Sequence, residues 1–277
     1  MIIGADVSHS SPGSLQPSMA AVTVMADRLG TRYTAACETN GHRVEMITTA
    51  NLKDMVVPQA THFIKVCNNG IKPQVVYYFR DGVSEGQYQH VLNQEVADMK
   101  RLFDRDMGGW KPQFVVVVAS KRHHIRFFPP PGPGADRNGN PHPGTLVDRD
   151  VTHPFERDAY LCSHSAIQGT ARPVHYHILL DEAGVVENNL YTMIYEHCYQ
   201  YIRSTTPVSL HPAIYYAHLA SNRAGSHLDE ASSSGPQSGP GFKPPRDSSS
   251  ATQKDVEFKP LIKMNNEHGI RTSMWYI

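Results

Sequence analysis

Cysteine is scarce in this chain, with Cys37, Cys67, Cys162 and Cys198 scattered through 277 residues. That spacing excludes a Cys-x-x-Cys zinc site and a dense disulfide framework, and it reads as reduced thiols of an intracellular protein. Net charge is also lacking: 26 basic residues balance 26 acidic ones. A polycationic surface is therefore excluded, and any contact with nucleic acid must come from a local patch. No uninterrupted apolar run approaches the ~20 residues of a membrane-spanning helix, so no membrane partner is expected. The start of the chain has no basic segment followed by an apolar stretch and a small-residue cleavage site, which argues against a secretory leader. Internal repeats are absent.

What the chain does have is a pair of short apolar runs that each end in an aspartate. These are Ile2-Ile3-Gly4-Ala5-Asp6 and Val75-Val76-Tyr77-Tyr78-Phe79-Arg80-Asp81. Apolar runs of this length bounded by turn residues read as fully buried strands, and in α/β folds the last side chains of such strands face the site. Two carboxylates brought to one sheet edge can share a hard cation. Each aspartate has a plainer reading: a turn or cap residue, with Asp81 merely starting the next helix. The pair Asp148 and Asp150 is a second acidic candidate, although Val147-Asp148-Arg149-Asp150 also reads as a strand-end turn.

Periodicity supplies the elements between. Ser18 to Met25 and Arg32 to Thr39 are β-prone and flank Asp27-Arg28-Leu29-Gly30, which predicts an antiparallel meander with the Asp6 strand. Leu52 to Val66 has helical spacing, with Pro58 predicting a break or a late start. Ser84 and Gln87 form a capping box ahead of a stripe comprising Tyr88, Val91, Leu92, Val96, Met99, Leu102 and Phe103. Phe114 to Ala119 reads as another buried strand, followed by the basic run Lys121-Arg122-His123-His124-Ile125-Arg126. Further strands are expected at 145–148, 159–162 and 174–180, and helices at 187–203 and 211–228. The Pro/Gly-rich stretch 129–144 and the Ser/Gly/Pro-rich stretch 231–250 read as flexible loops. The tail with Phe258, Leu261, Ile262, Met274, Trp275 and Tyr276 carries enough apolar surface to dock on the body.

The residues around the strand ends resemble the PIWI domain of eukaryotic Argonaute proteins. Gly-Ala-Asp6-Val-Ser-His and Tyr-Phe-Arg-Asp81-Gly-Val-Ser-Glu-Gly-Gln are similar to two family motifs. Lys121-Arg122-His123-His124, Leu161-Cys162-Ser163-His164, Ile167-Gln168-Gly169-Thr170-Ala171-Arg172-Pro173 and Tyr215-Tyr216-Ala217-His218-Leu219 match others in order. The resemblance implies an α/β, ribonuclease H-like fold, a mixed β-sheet flanked by helices, as one PIWI domain over residues 1–277. It also implies a domain incomplete at its N-terminal side, without the PAZ and MID domains of the family.

On the same resemblance, Asp6, Glu45, Asp81 and His218 are the catalytic residues, with Asp6, Asp81 and His218 as ligands of two Mg²⁺ ions, or of Mn²⁺. The implied activity is small-RNA-guided endonucleolytic cleavage of target RNA in gene silencing, cytoplasmic or nuclear. The alternatives are a binding module that silences without cutting, and an unguided ribonuclease H-like nuclease or inactive fragment. The partners implied are a guide RNA, a complementary target RNA and silencing-complex proteins. Lys121, Arg122, Arg126, His164, Arg172, Arg203, Ser209 and Arg223 fall where the family holds the guide backbone, a contact made through charge and sugar hydroxyls and not base identity. After Arg223, Ala224-Gly225-Ser226 departs from the more basic and aromatic sequence usual in the family.

Overall fold

In the computed structural model the structure describes residues 1–11, 14, 16–228, 260–261, 264 and 269–277. Among these an eight-stranded mixed sheet runs in the order β3-β2-β1-β4-β5-β8-β7-β6. Strands β1 (Ile2–Ser8), β2 (Met19–Met25) and β3 (Tyr33–Thr39) form the predicted antiparallel meander. β4 (Val75–Asp81) and β5 (Gln113–Ser120) then add in parallel to β1. β8 (Val174–Asp181) then pairs antiparallel with β5, β7 (Arg157–Cys162) with β8, and β6 (Thr145–Val147) with β7. The central strands are buried on both faces, which is why Phe114 to Ala119 is continuously apolar where a half-exposed strand would alternate.

Helices cover both faces of the meander. Thr34 and Thr23 sit on opposite faces because their paired positions, Val24 and Thr23, are neighbours along β2. Thr34 Oγ1 donates to Gln59 of α1 (Thr49–His62), while Thr23 Oγ1 donates at 2.7 Å to the Ala213 carbonyl of α5 (Pro212–Ala224). Helix α1 does not break at Pro58. The ring and the carbonyl it leaves without its helical donor, that of Asp54, both belong to exposed residues, so the loss falls on the solvent side of the helix. Its inner face of Leu52, Met55, Val56, Gln59 and Ala60 stays buried, and this burial holds the helix through the proline.

The helical stretch after β4 begins with the expected Ser84/Gln87 capping box. It continues through α2 (Tyr88–His90) and a π turn at Val91–Val96 into α3 (Ala97–Asp106). Helix α4 (Glu187–His197) is shorter than its apolar spacing suggests. A 3-10 turn at Cys198–Gln200 ends it ahead of Arg203. At the far edge, Trp275 Nε1 and Tyr276 Oη donate to the carbonyls of Ala35 and Tyr33, closing the β3 edge as the apolar tail predicted. Phe258, Ile262 and the 231–250 loop lie outside the described residues. In the 129–144 segment, Asp136 Oδ1 accepts from the amides of Asn138 and Asn140. The buried Asn140 in turn bonds the Gly169 carbonyl and the Ala171 amide.

Candidate active site and nucleic-acid cleft

Because β1, β4 and β5 are parallel and in register, their carboxyl ends deliver Asp6, Asp81 and Lys121 to one edge of the sheet. Asp6 is 5% exposed. Its Oδ2 lies 3.0 Å from Nδ1 of His218, which α5 carries in from the opposite end of the sequence. The placement of α5 depends on Gly4: a Cβ there would lie 2.4 Å from the Ala213 carbonyl group, so helix and strand meet backbone to backbone. Helix entry is set by His211, whose Nδ1 accepts from the Ala213 amide, and by Pro212 in the first turn.

Asp81 turns its Oδ1 onto the amide of Gly82 at 2.7 Å. Gly82 has φ +83°, and a Cβ on it would lie 2.9 Å from Glu45 Oε1 and 3.6 Å from Asp6 Oδ1. That glycine therefore marks where the carboxylates of Asp6, Asp81 and Glu45 come together. Burial first, and the neighbouring Asp6 carboxylate second, push the Asp81 carboxyl up to about 6. Carboxylate oxygens, hard donors brought this close together, suit a bound divalent cation. For such a cation the resemblance names Asp6, Asp81 and His218. As they stand, no three His, Cys, Asp or Glu side chains among the described residues enclose an ion. His218 is pulled up chiefly by its hydrogen bond to Asp6.

Glu45 arrives from the loop after β3, where periodicity gives no signal. Its carboxylate pairs with Arg80 Nη1 at 2.9 Å and His9 Nε2 at 2.8 Å. Burial raises its carboxyl against the lowering pull of Arg80 and, after it, His9. His9 and Arg80 stand within the two matched motifs but carried no separate role in the sequence reading. A charge inside an apolar strand, as Arg80 is, was the available signal.

Of the eight predicted backbone-contact residues, four share one place. Lys121, His164 and Arg172, together with residues 165–168 and Thr170, line an open cleft of about 350 Å³. Ser209 Oγ meets Lys121 Nζ at 2.6 Å. Burial, then the adjacent Arg172, lower the Lys121 ammonium. Burial and Lys121 depress His164 to about 4. Such a concentration of cations and neutral imidazole favours an anion. Arg122 lies near enough to His218 to lower its affinity for a proton, at the seam between cleft and carboxylates. Arg126 instead spends its guanidinium on the carbonyls of His123 and Ile125. Arg203 is exposed beside Tyr201, and Arg223 is exposed in the last turn of α5; neither lines this cleft.

Comparisons with known proteins bear on the family and the fold. Residues 1–229 match the Piwi domain. The "Protein argonaute" of Schizosaccharomyces pombe is 36% identical over 277 residues, covering all of this chain and 31% of its own length. "Protein argonaute 2" of Oryza sativa subsp. japonica is 44% identical over 225 residues, covering 80% of this chain and 21% of its own. The chain thus spans between a fifth and a third of these relatives. Among solved structures, the Kluyveromyces polysporus Argonaute with a guide RNA superposes with a TM-score of 0.79 at 27% identity, covering all of this chain and 32% of that one. The C-terminal lobe of a budding yeast Argonaute gives 0.77 at 28% identity, covering all of this chain and 53% of that one. With a mixed, helix-flanked sheet of the ribonuclease H-like kind and these matches, the chain belongs to the Piwi domain family of Argonaute proteins.

Proposed function

We propose that this chain carries the cutting centre of a small-RNA-guided endonuclease that cleaves target RNA in gene silencing. The observation that carries the reading is the meeting of Asp6, Glu45, Asp81 and His218, from four separate segments, beside a cationic cleft at the same sheet edge. Divalent cations such as Mg²⁺ would, when bound, supply activation of water and stabilisation of the leaving oxygen in a phosphodiester displacement. Asp6 and Asp81 would hold such cations through carboxylate oxygens, and His218 through a neutral ring nitrogen. Glu45, steered by Arg80 and His9, points a carboxylate at the same space and orients water there. Lys121, Arg172 and Ser209 hold backbone phosphates, so that base pairing with the guide, and not the protein, selects the target.

The test is single-turnover cleavage of labelled complementary RNA by the chain loaded with a 5′-phosphorylated guide, in Mg²⁺ and in EDTA. One cut at a guide-defined position, abolished by EDTA, is the expected result. Guided binding by a folded chain without any cut would replace this reading with a silencing module that represses by occupancy. Cleavage indifferent to the guide would replace it with an unguided nuclease.

A further inference from the structure

Glu95 is a charged residue in the middle of an apolar helical stripe, and it is fully buried. Its Oε2 accepts from Tyr78 Oη at 2.6 Å and from Arg80 Nε at 3.1 Å. Its Oε1 accepts from Arg80 Nη2 at 3.2 Å and from the amide of Ile47 at 2.9 Å. Every neighbour is a donor, so the site is built for a group that only accepts. Burying an arginine and a glutamate together is costly unless their hydrogen bonds are complete, and here they are. Of the three groups that Glu95 holds, Arg80 and the Ile47 amide bear on Glu45. Arg80 grips the Glu45 carboxylate through Nη1 and the Glu45 carbonyl through Nη2 at 2.6 Å, while Ile47 lies two residues further along the same loop.

We propose that Glu95 is a positioning residue that sets the Glu45 loop against the aspartates, acting through Arg80 and the Ile47 amide and never touching the reacting groups. The Glu45 loop makes no strand or helix of its own, so its position depends on buried anchors: these, and Asn40, whose Nδ2 donates to the Val44 and Met46 carbonyls. Without the Glu95 charge, Arg80 keeps a single carboxylate partner and the Ile47 amide loses an ionised acceptor. The loop then loosens against the strand ends, still tied at Asn40, while the sheet beneath it remains intact. The catalytic meaning of this device rests on the proposed role of Glu45; the mechanical claim does not.

The experiment separates the two. Hydrogen exchange of the amides from Val44 to Ile47 is followed in the native chain, in Glu95→Gln and in Leu102→Ala. The last opens a cavity in the same helical core without touching the loop. Hydrogen bonds to charged groups are strong enough that Glu95→Gln should raise exchange in this loop about tenfold or more. Peptides of β4 and β5 should keep their protection in that variant. Leu102→Ala should lower protection broadly without singling out the loop. Loop exchange equal to native in Glu95→Gln, or raised equally in Leu102→Ala, overturns the proposal. Should Glu95→Gln fail to fold, Glu95→Asp carries the same measurement, because the shortened carboxylate keeps its charge but cannot span Arg80 and the Ile47 amide.

A second arm reads cleavage in Glu95→Gln, Glu45→Gln and the double variant. Equal losses in all three are expected, and multiplied losses overturn the route through Glu45. If no variant, nor the native chain, makes a guided cut, the proposed function falls and the exchange arm still decides the role of Glu95.

Discussion

Asp81 and Lys121 leave adjoining strands at the same end of the sheet, yet they enter different kinds of surroundings. The carboxylate side is dense. Asp6 is held by His218, Glu45 by Arg80 and His9, Arg80 by Glu95, and α5 by a contact so close that only glycine fits at position 4. The cationic side is open and lined by loop residues, which Asn140 holds from behind at Gly169 and Ala171. Chemistry that depends on sub-ångström placement needs the first kind of support. Holding a flexible polyanion needs charge more than rigidity, and the second kind suffices. Damage to the dense side should therefore abolish cutting and spare binding, whereas damage to the open side should do the reverse.

The largest separation is expected from Asp81→Ala. It removes a proposed cation ligand and relieves a like-charge contact with Asp6. Single-turnover cleavage should fall roughly a thousandfold or more. RNA affinity measured in parallel should hold or rise slightly, since a buried negative charge near Lys121 is gone. A comparable loss of both would show that the two sides are one cooperative unit.

Gly4→Ala tests the dense side without touching its chemistry. The added methyl must push α5 off β1, and overpacking of this kind costs about 1–3 kcal/mol. Thermal unfolding should shift down accordingly, and the His218–Asp6 contact should loosen, so cleavage drops more than stability alone explains. Full activity in a folded Gly4→Ala chain would mean that α5 can move without consequence for the site.

The same contrast decided what could be read in the sequence. The meander, the parallel strands and the capping box ahead of α2 were legible because buried strands and helix starts leave local patterns. Asp81 was legible as a strand end; Asp6 was read as one too, but β1 runs two residues past it to Ser8, still paired with β2. Glu45 was reachable only through resemblance, since a loop has no period. The Arg80–Glu95 pair was visible only as two charges interrupting apolar patterns, and nothing local links residues 15 positions apart. On the open side the sequence reading grouped eight residues, of which the fold brings Lys121, His164, Arg172 and Ser209 to one cleft. It turns the Arg126 guanidinium back on its own loop. Which cations share a cleft depends on loop paths that composition does not encode.

Lys121→Ala should cost about five- to tenfold in affinity for guide RNA at low salt and flatten the salt dependence by roughly 0.7 to 0.9 in log–log slope. Removal of this cation should also let His164 take up a proton at higher pH. His164 is held below its ordinary value, so the folded chain stays neutral there while the unfolded chain is protonated near pH 6.5. Its contribution to stability is therefore full above pH 6.5 and is lost as pH falls from there towards 4. Unfolding followed across that window should show a shallower decline in Lys121→Ala and in His164→Asn than in the native chain. An unchanged decline in both would place the titrating group elsewhere.

Arg126→Ala is expected to have the smallest effect on binding. Both resolved contacts of Nη1 go to carbonyls within its own loop, so the charge is committed to shaping the turn that follows Lys121. Losing them should cost about 1 kcal/mol of stability, the usual net worth of such bonds. Affinity for guide RNA should stay within about twofold, and the salt slope should be unchanged, because no counterion is exchanged at a cation that never meets a phosphate. A slope reduced as much as by Lys121→Ala would show that bound RNA draws Arg126 off its carbonyls. The open side would then be shaped by its ligand, in contrast to a carboxylate side held by the fold alone.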